Sequence, residues 1–334
     1  MKLKILPEKI KDQINTVRYR RYPVLWQLSI LGLILVLLFG SLLWPNSKQN
    51  NQMASPIESK PVSLDIIQPN RDHKLDNIKI KAQAAYVYDA KTKEVLFAKN
   101  ADEPLPLASI TKLMTALLSY ELVEDNQNVS ISDTAIKQEG DNGLLFGEEF
   151  SVKNLRSYAL IVSSNDAAYA LSASVGSLLG DRNPTAQFVE AMNIRAKELG
   201  LNSLEFLNPT GLDISETKPG AVGSAKDVSL LMEYILKNYP ELLSPTQQAD
   251  TLVYNKDGQY HEAVNTNRSV DQIPNLLASK TGYTDLAGGN LTVAFNVGLD
   301  HPIIITVLGS TYNDRFSDVL TLVQAVRKTF AQIK

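Results

Sequence analysis

Residues 24–44 contain no charged side chain, and this run constrains the chain more than any other feature. It is 21 residues long, broken only by Gln27, Ser29, Ser41 and two glycines, and so matches the ~20 residues that a helix needs to cross a bilayer. It is apolar all round and flanked by polar segments, which sets it apart from a core helix. Trp26 and Trp44, the two tryptophans of the chain, stand at its ends with Tyr19 and Tyr22 nearby, as in an interfacial aromatic belt. Before Pro23 there are seven basic residues against two acidic ones, a net charge of +5. That excess predicts a cytoplasmic N-terminus and places everything after Trp44 outside the membrane. The rival reading is a cleavable signal peptide. The run exceeds the usual apolar core of about 7–15 residues, and no small-x-small site follows closely, so a retained anchor is expected.

The expected organisation is a cytoplasmic basic segment over 1–23, an anchor over 24–44, a flexible tether over 45–79 and one folded region over 80–334. The chain has 334 residues and a net charge of −3, which leaves −8 for the part after the basic segment. That balance argues against a nucleic-acid-binding surface on the folded part. With no cysteine, disulfides and thiolate metal sites are excluded. Alternating or β-rich runs predict strands over 84–89, 94–98, 290–297 and 302–308. Helical patterns cover 109–122, 166–179, 185–199, 225–236 and 315–333. Strands at both ends with helices between and after predict one antiparallel sheet closed by the two ends of the folded region, with a helical insert.

Within the first of those helices lies Ser109-Ile110-Thr111-Lys112, a nucleophile with a base one turn away. A serine hydroxyl is a weak nucleophile at neutral pH and needs a group to take its proton. His73 lies in the tether, and His261 and His301 stand alone with no acidic residue arranged to orient them, so Lys112 is the candidate base. A lysine can serve if desolvation and nearby positive charge lower its pKa. Ser-x-x-Lys alone turns up by chance about once in a chain of this length. Two further motifs follow in order, Ser163-Ser164-Asn165 and Lys280-Thr281-Gly282, each present once.

In that order the three motifs resemble the penicillin-binding DD-peptidase and serine β-lactamase superfamily. More narrowly, the chain is similar to the low-molecular-mass D-alanyl-D-alanine carboxypeptidases. The likeness extends through residues 106–116, 162–168, 199–201 and 208–212, and through Lys280-Thr281-Gly282-Tyr283-Thr284-Asp285 with Ala287-Gly288-Gly289-Asn290-Leu291 after it. It implies an α+β, β-lactamase/transpeptidase-like fold: a five-stranded antiparallel sheet flanked by helices, with a helical subdomain. It also implies that Ser109 attacks the carbonyl between two D-alanines while Lys112 takes its proton. Positive potential at the helix end favours the developing oxyanion and helps keep Lys112 neutral.

By the same resemblance, Ser163 relays a proton to the departing D-alanine, and Asn165 bonds the substrate amide and positions Lys112. The backbone N–H groups of Ser109 and Tyr283 form the oxyanion hole. Lys280, Thr281 and Arg315 hold the terminal carboxylate, and Gly282 lets the peptide lie against a strand edge. The implied partners are peptidoglycan stem peptides ending in D-Ala-D-Ala and β-lactams as covalent inhibitors, with no metal or organic cofactor. Ser164 stands where the subfamily usually has glycine. The all-β second domain and C-terminal amphipathic anchor of many relatives are not expected, which leaves anchoring to residues 24–44.

Three other readings use the same apparatus. A DD-endopeptidase would cut cross-links with the same nucleophile. A β-lactamase needs a deacylating glutamate in an E-x-x-L-N loop, and Glu205-Phe206-Leu207-Asn208 is one residue short of that spacing. A non-catalytic peptidoglycan-binding protein would not need its acid–base groups intact.

Overall fold

Alternation of apolar side chains builds the centre of the molecule, which a computed structural model describes at residue 75, residues 78–140 and residues 143–332. The basic segment, the apolar run 24–44, His73 and most of the tether lie outside the described residues. Among the described residues, no helix is long and apolar enough to cross a membrane.

Strands β1 (Ala84–Asp89) and β2 (Glu94–Lys99) form a hairpin. Helices α1 (Lys112–Leu122), α2 (Val152–Ile161), α3 (Asn165–Gly176), α4 (Pro184–Glu198) and α5 (Ala225–Asn238) follow. A second hairpin, β3 (Asp250–Tyr254) and β4 (Tyr260–Val264), precedes the long strands β5 (Leu276–Thr284), β6 (Gly288–Asn296) and β7 (Pro302–Ser310). Helix α6 (Asp314–Gln332) comes last. One five-stranded antiparallel sheet runs β5-β6-β7-β1-β2, so strands from both ends of the folded region meet in it, as expected.

Both faces of this sheet are covered. Ala84, Tyr86 and Tyr88 of β1, with Ile304 and Leu308 of β7, pack into the core shared with the helices between β2 and β5. Their neighbours Ala85, Val87, Ile303, Ile305 and Val307 point the other way, onto Val319, Leu322, Val323 and Val326 of α6. Side chains two apart share a strand face, and residues three to four apart share a helix face. Helix α1 is buried along its whole length except at Glu121, which makes it the axis of the helical side.

Three expectations change. The helix read over 109–122 divides into a 3-10 turn, Ala108–Thr111, and α1. Helix α2 and the β3–β4 hairpin were not anticipated. The packed region also reaches back into the stretch read as tether: Leu75 is buried, its N–H donates to Leu96 O (3.2 Å), and Ile78 and Ile80 pack on the α6 side.

The start and end of the packed region are tied by one carboxylate. Asp318 accepts from Lys81 N (2.9 Å), Ala82 N (2.8 Å) and Ser310 Oγ (2.7 Å). Replacing it leaves buried donors without an acceptor, so Asp318→Ala should lower the unfolding free energy by roughly 2–3 kcal/mol in denaturant titration.

Candidate active site

The sharp turn before α1 brings the nucleophile and the base together. Leu107 N–H bonds Ala221 O (3.0 Å), and Asn290 Nδ2 donates to Pro106 O (2.9 Å) and Leu107 O (3.1 Å), so the approach to the turn is clamped from two sides. Ala108 then takes a left-handed φ of +47°, a strained conformation for a residue with a Cβ. In a 3-10 turn, residues three apart eclipse one another. Lys112 therefore lies directly over Ser109, with Nζ 2.8 Å from Oγ.

Lys112 is fully buried and has two further partners, Asn165 Oδ1 at 2.7 Å and the Thr210 carbonyl oxygen at 2.8 Å. Burial pushes its pKa down to about 7, with Asp166 opposing the fall. Both partners besides Ser109 are carbonyl-type oxygens and can only accept. A neutral lysine amine has two N–H groups and one lone pair. Once Asn165 and Thr210 take the N–H groups, the lone pair is left for the Ser109 hydroxyl, which donates to it. The polarity needed for general-base catalysis follows from this count of donors and acceptors.

Ser163 sits at the turn into α3 with a left-handed φ of +64°, the second strained backbone at this site. Its Oγ accepts from Lys280 Nζ at 2.8 Å, and Lys280 also donates to Thr281 O at 2.8 Å. Burial, then the nearby charges of Lys112 and Arg315, hold the Lys280 pKa well below its ordinary value. Asn165 begins α3. Its Oδ1 receives Lys112, and its Nδ2 donates to Glu139 O at 2.7 Å.

Strand β5 is the sheet's edge, and the 3-10 turn Ser244–Gln247 covers that edge as far as Ser279, whose N–H donates to Thr246 Oγ1 (3.0 Å). Beyond it the edge lines a cleft of about 370 Å³. Ser109, Ser163, Thr281, Gly282, Tyr283 and Arg315 border this cleft together with Thr266, Arg268 and Tyr312. Thr281 Oγ1 lies 2.6 Å from Thr266 Oγ1. Arg315 donates to Gly282 O at 2.8 Å, and its guanidinium lies over the Tyr312 ring. Burial lowers its pKa to about 10, so it remains a cation at neutral pH. With the guanidinium groups of Arg268 and Arg315 in its wall, the cleft favours an anionic group.

The structure thus gathers Ser109, Lys112, Ser163, Asn165, Lys280, Thr281, Gly282, Tyr283 and Arg315 in and around one cleft. Gly282 has a role that its sequence context did not reveal. A Cβ there would lie 2.8 Å from Leu107 O and 3.2 Å from Ser109 N, so the missing side chain makes room for the nucleophile's own backbone. Nothing in the residue types marks Thr210 as a partner, because it meets Lys112 through its backbone carbonyl. Its loop is shaped by Asn208 Oδ1, which accepts from Thr210 N, Thr210 Oγ1 and Gly211 N. A Cβ on Gly211, which has φ +82°, would come within 1.9 Å of Ala108 O.

The two histidines expected to stand alone are in fact paired. His261 Nε2 lies 2.8 Å from Glu148 Oε1, and His301 Nε2 lies 2.8 Å from Asp89 Oδ2. Neither histidine borders the Ser109 cleft. Among the described residues, no group of three or more His, Cys, Asp or Glu is arranged to hold a metal.

A buried lysine over a serine, at the edge of a sheet packed between a helical region and a C-terminal helix, belongs to a penicillin-binding/transpeptidase-like fold. Residues 70–311 match the peptidase S11 family, described as D-alanyl-D-alanine carboxypeptidase, and the chain belongs to that family. It is 34% identical to the D-alanyl-D-alanine carboxypeptidase DacF of Bacillus subtilis over 72% of this chain and 60% of that protein. It is 29% identical to a D-alanyl-D-alanine endopeptidase of Escherichia coli over 69% of this chain and 71% of that protein. The chain therefore spans less than two thirds of the Bacillus relative's length. Its fold matches that of penicillin-binding protein D2 from Listeria monocytogenes, solved in a cefotaxime-bound form, with a TM-score of 0.61 and 30% identity. That match covers 75% of this chain and 98% of the other.

Gly282 offers a direct check on the packing between β5 and the nucleophile's turn. Gly282→Ala should slow acylation of Ser109 by a fluorescent penicillin roughly 10²-fold, the scale of losing an oxyanion donor. Because the clash is with backbone, its thermal midpoint should also fall below that of the parent chain.

Proposed function

We infer that this chain is a serine-type D-Ala-D-Ala carboxypeptidase that removes the terminal D-alanine from peptidoglycan stem peptides. The observation that carries this reading is the Lys112 amine, whose carbonyl partners leave its lone pair for Ser109. Ser109 Oγ attacks the carbonyl carbon of the penultimate D-alanine as its proton passes to Lys112. The C–N bond then breaks, and the terminal D-alanine leaves as an amine after receiving a proton through Ser163. Water attacks the resulting ester as Lys112 takes its proton, the bond from the carbonyl carbon to Ser109 Oγ breaks, and Lys112 returns that proton to Oγ. The backbone N–H groups of Ser109 and Tyr283 receive the negative charge that develops on the carbonyl oxygen. The substrate's terminal carboxylate is met by Thr281, Lys280 and Arg315. Its charge opposes the fall that burial first, and then the neighbouring basic groups, impose on the Lys280 pKa. β-Lactams acylate the same serine.

Residues 24–44 hold the enzyme in the cytoplasmic membrane with the catalytic domain outside. The uncharged run and the basic segment before it support this placement. Cleavage of cross-links by the same nucleophile is the second reading. It is favoured by the likeness to endopeptidases, including one from Pseudomonas aeruginosa that is 30% identical over 67% of this chain.

Incubation with a purified pentapeptide muropeptide and with a cross-linked dimer, followed by mass spectrometry, separates these readings. Loss of one D-alanine from the first with the dimer intact is expected. Cutting of the dimer alone would make the chain an endopeptidase. The variant Ser109→Ala should lose all activity and all penicillin labelling.

A further inference from the structure

The β3–β4 hairpin has an inner and an outer face. Val253 and Ala263 are buried beneath it, while Asp250, Leu252, Tyr254, Tyr260, Glu262 and Val264 point outward and are exposed. The register places Tyr254 opposite Tyr260, with ring centroids 6.0 Å apart, Leu252 opposite Glu262, and Asp250 opposite Val264. Tyr260 is 61% exposed, an unusual position for a large ring on a short strand. A contiguous exposed apolar patch on a soluble domain marks an interaction site.

Two observations say what this surface serves. First, it continues the catalytic cleft. Val264 and the next two residues, Asn265 and Thr266, line that cleft beside Thr281, so the outer face leads away from the reacting carbonyl along the same wall. From Val264 to Tyr260 the strand extends about 13 Å at the ordinary rise per residue.

Second, the hairpin is held rigid from below. Glu148 binds His261 Nε2 (2.8 Å) and Asn255 Nδ2 (3.0 Å), Asn154 Nδ2 donates to Tyr254 O (2.8 Å), and Lys256 N donates to Glu149 O (2.7 Å). A preformed platform of this kind loses little freedom on binding. The outward charges of its strands, Asp250 and Glu262, are both acidic, and exposed Lys256 and Asp257 cancel at its turn, which disfavours an anionic bilayer surface. Tyrosine rings beside carboxylates suit a neutral carbohydrate instead. The apolar C–H faces of a sugar stack on the rings, and its hydroxyl and amide hydrogens meet the acids.

We propose that the outer face of the β3–β4 hairpin is a docking platform for the glycan strand that bears the stem peptide. The peptide's end then reaches the Ser109 cleft along β4. This inference rests on the function proposed above, and its test has one arm that needs no catalysis.

In that arm, the Ser109→Ala protein in detergent is sedimented with chitin, a neutral polymer of N-acetylglucosamine that carries neither peptide nor lactyl carboxylate. The same protein carrying Tyr254→Ser and Tyr260→Ser should bind at least tenfold more weakly. In the catalytic arm, the Tyr254→Ser/Tyr260→Ser protein should process free pentapeptide, and be labelled by fluorescent penicillin, at the parental rate. It should lose at least tenfold in kcat/KM on pentapeptide attached to glycan. Leu252→Ser provides a second surface change that should act in the same direction.

Unchanged glycan binding would overturn the proposal, and so would equal losses on free and glycan-linked peptide. A variant that keeps glycan binding but changes oligomeric state, or loses affinity for anionic-lipid vesicles, would assign the face to another partner and would also overturn it. If the parent released no D-alanine from free pentapeptide, the proposed function would fail while the sedimentation arm stayed readable.

Discussion

The contact of the Lys112 amine with Ser109, Asn165 and Thr210 is the constraint to which the rest of the site answers. An amine with three neighbours in a buried place has few ways to arrange its hydrogens. With two of the neighbours fixed as acceptors, the third must give up a proton when the amine is neutral. Each neighbour arrives from a different part of the chain: Ser109 from the turn before α1, Asn165 from the start of α3, and Thr210 from a loop held by Asn208. The helical side of the molecule therefore has to pack as one body before the base is polarised correctly.

The arrangement has costs that the fold carries elsewhere. A lysine held out of water disfavours its own charge, and Ala108 and Ser163 sit in a backbone region that L residues avoid. Such strain persists only where surrounding contacts over-determine the conformation. Here Asn290 clamps the chain before Ala108, and Gly211 and Gly282 have no Cβ to push the turn away. The five-stranded sheet, packed on both faces, gives Asn290 a fixed base. Stability from the core thus supports a site that is locally unfavourable, a pattern common to catalytic centres.

The parts legible in the sequence were those whose signal is local. Strands β1 and β2 alternate or run apolar over their length, β6 and β7 are apolar runs interrupted by Asn290, Thr292 and Thr306, and the three motifs carry their own side-chain chemistry. What stayed hidden depends on distance along the chain. Thr210 acts through a backbone carbonyl 98 residues from Lys112, and a carbonyl leaves no mark on residue type. Glu148 and Asp89 meet His261 and His301 from 113 and 212 residues away, so the histidines looked isolated. The hairpin β3–β4 exposes tyrosines where a surface strand would ordinarily show polar residues, which blurs the alternation that marks a half-buried strand. Ser109 was read into α1 because the apolar pattern of the helix runs on through the 3-10 turn.

The central claim is that Lys112 is neutral when Ser109 needs a base. Nitrogen NMR of ¹⁵N-lysine-labelled protein, with Lys112 assigned by its loss in Lys112→Met, reads this directly. The account predicts that the Lys112 amine titrates at about pH 7, far below an ordinary lysine. A Lys112 signal still protonated at pH 9 would contradict it.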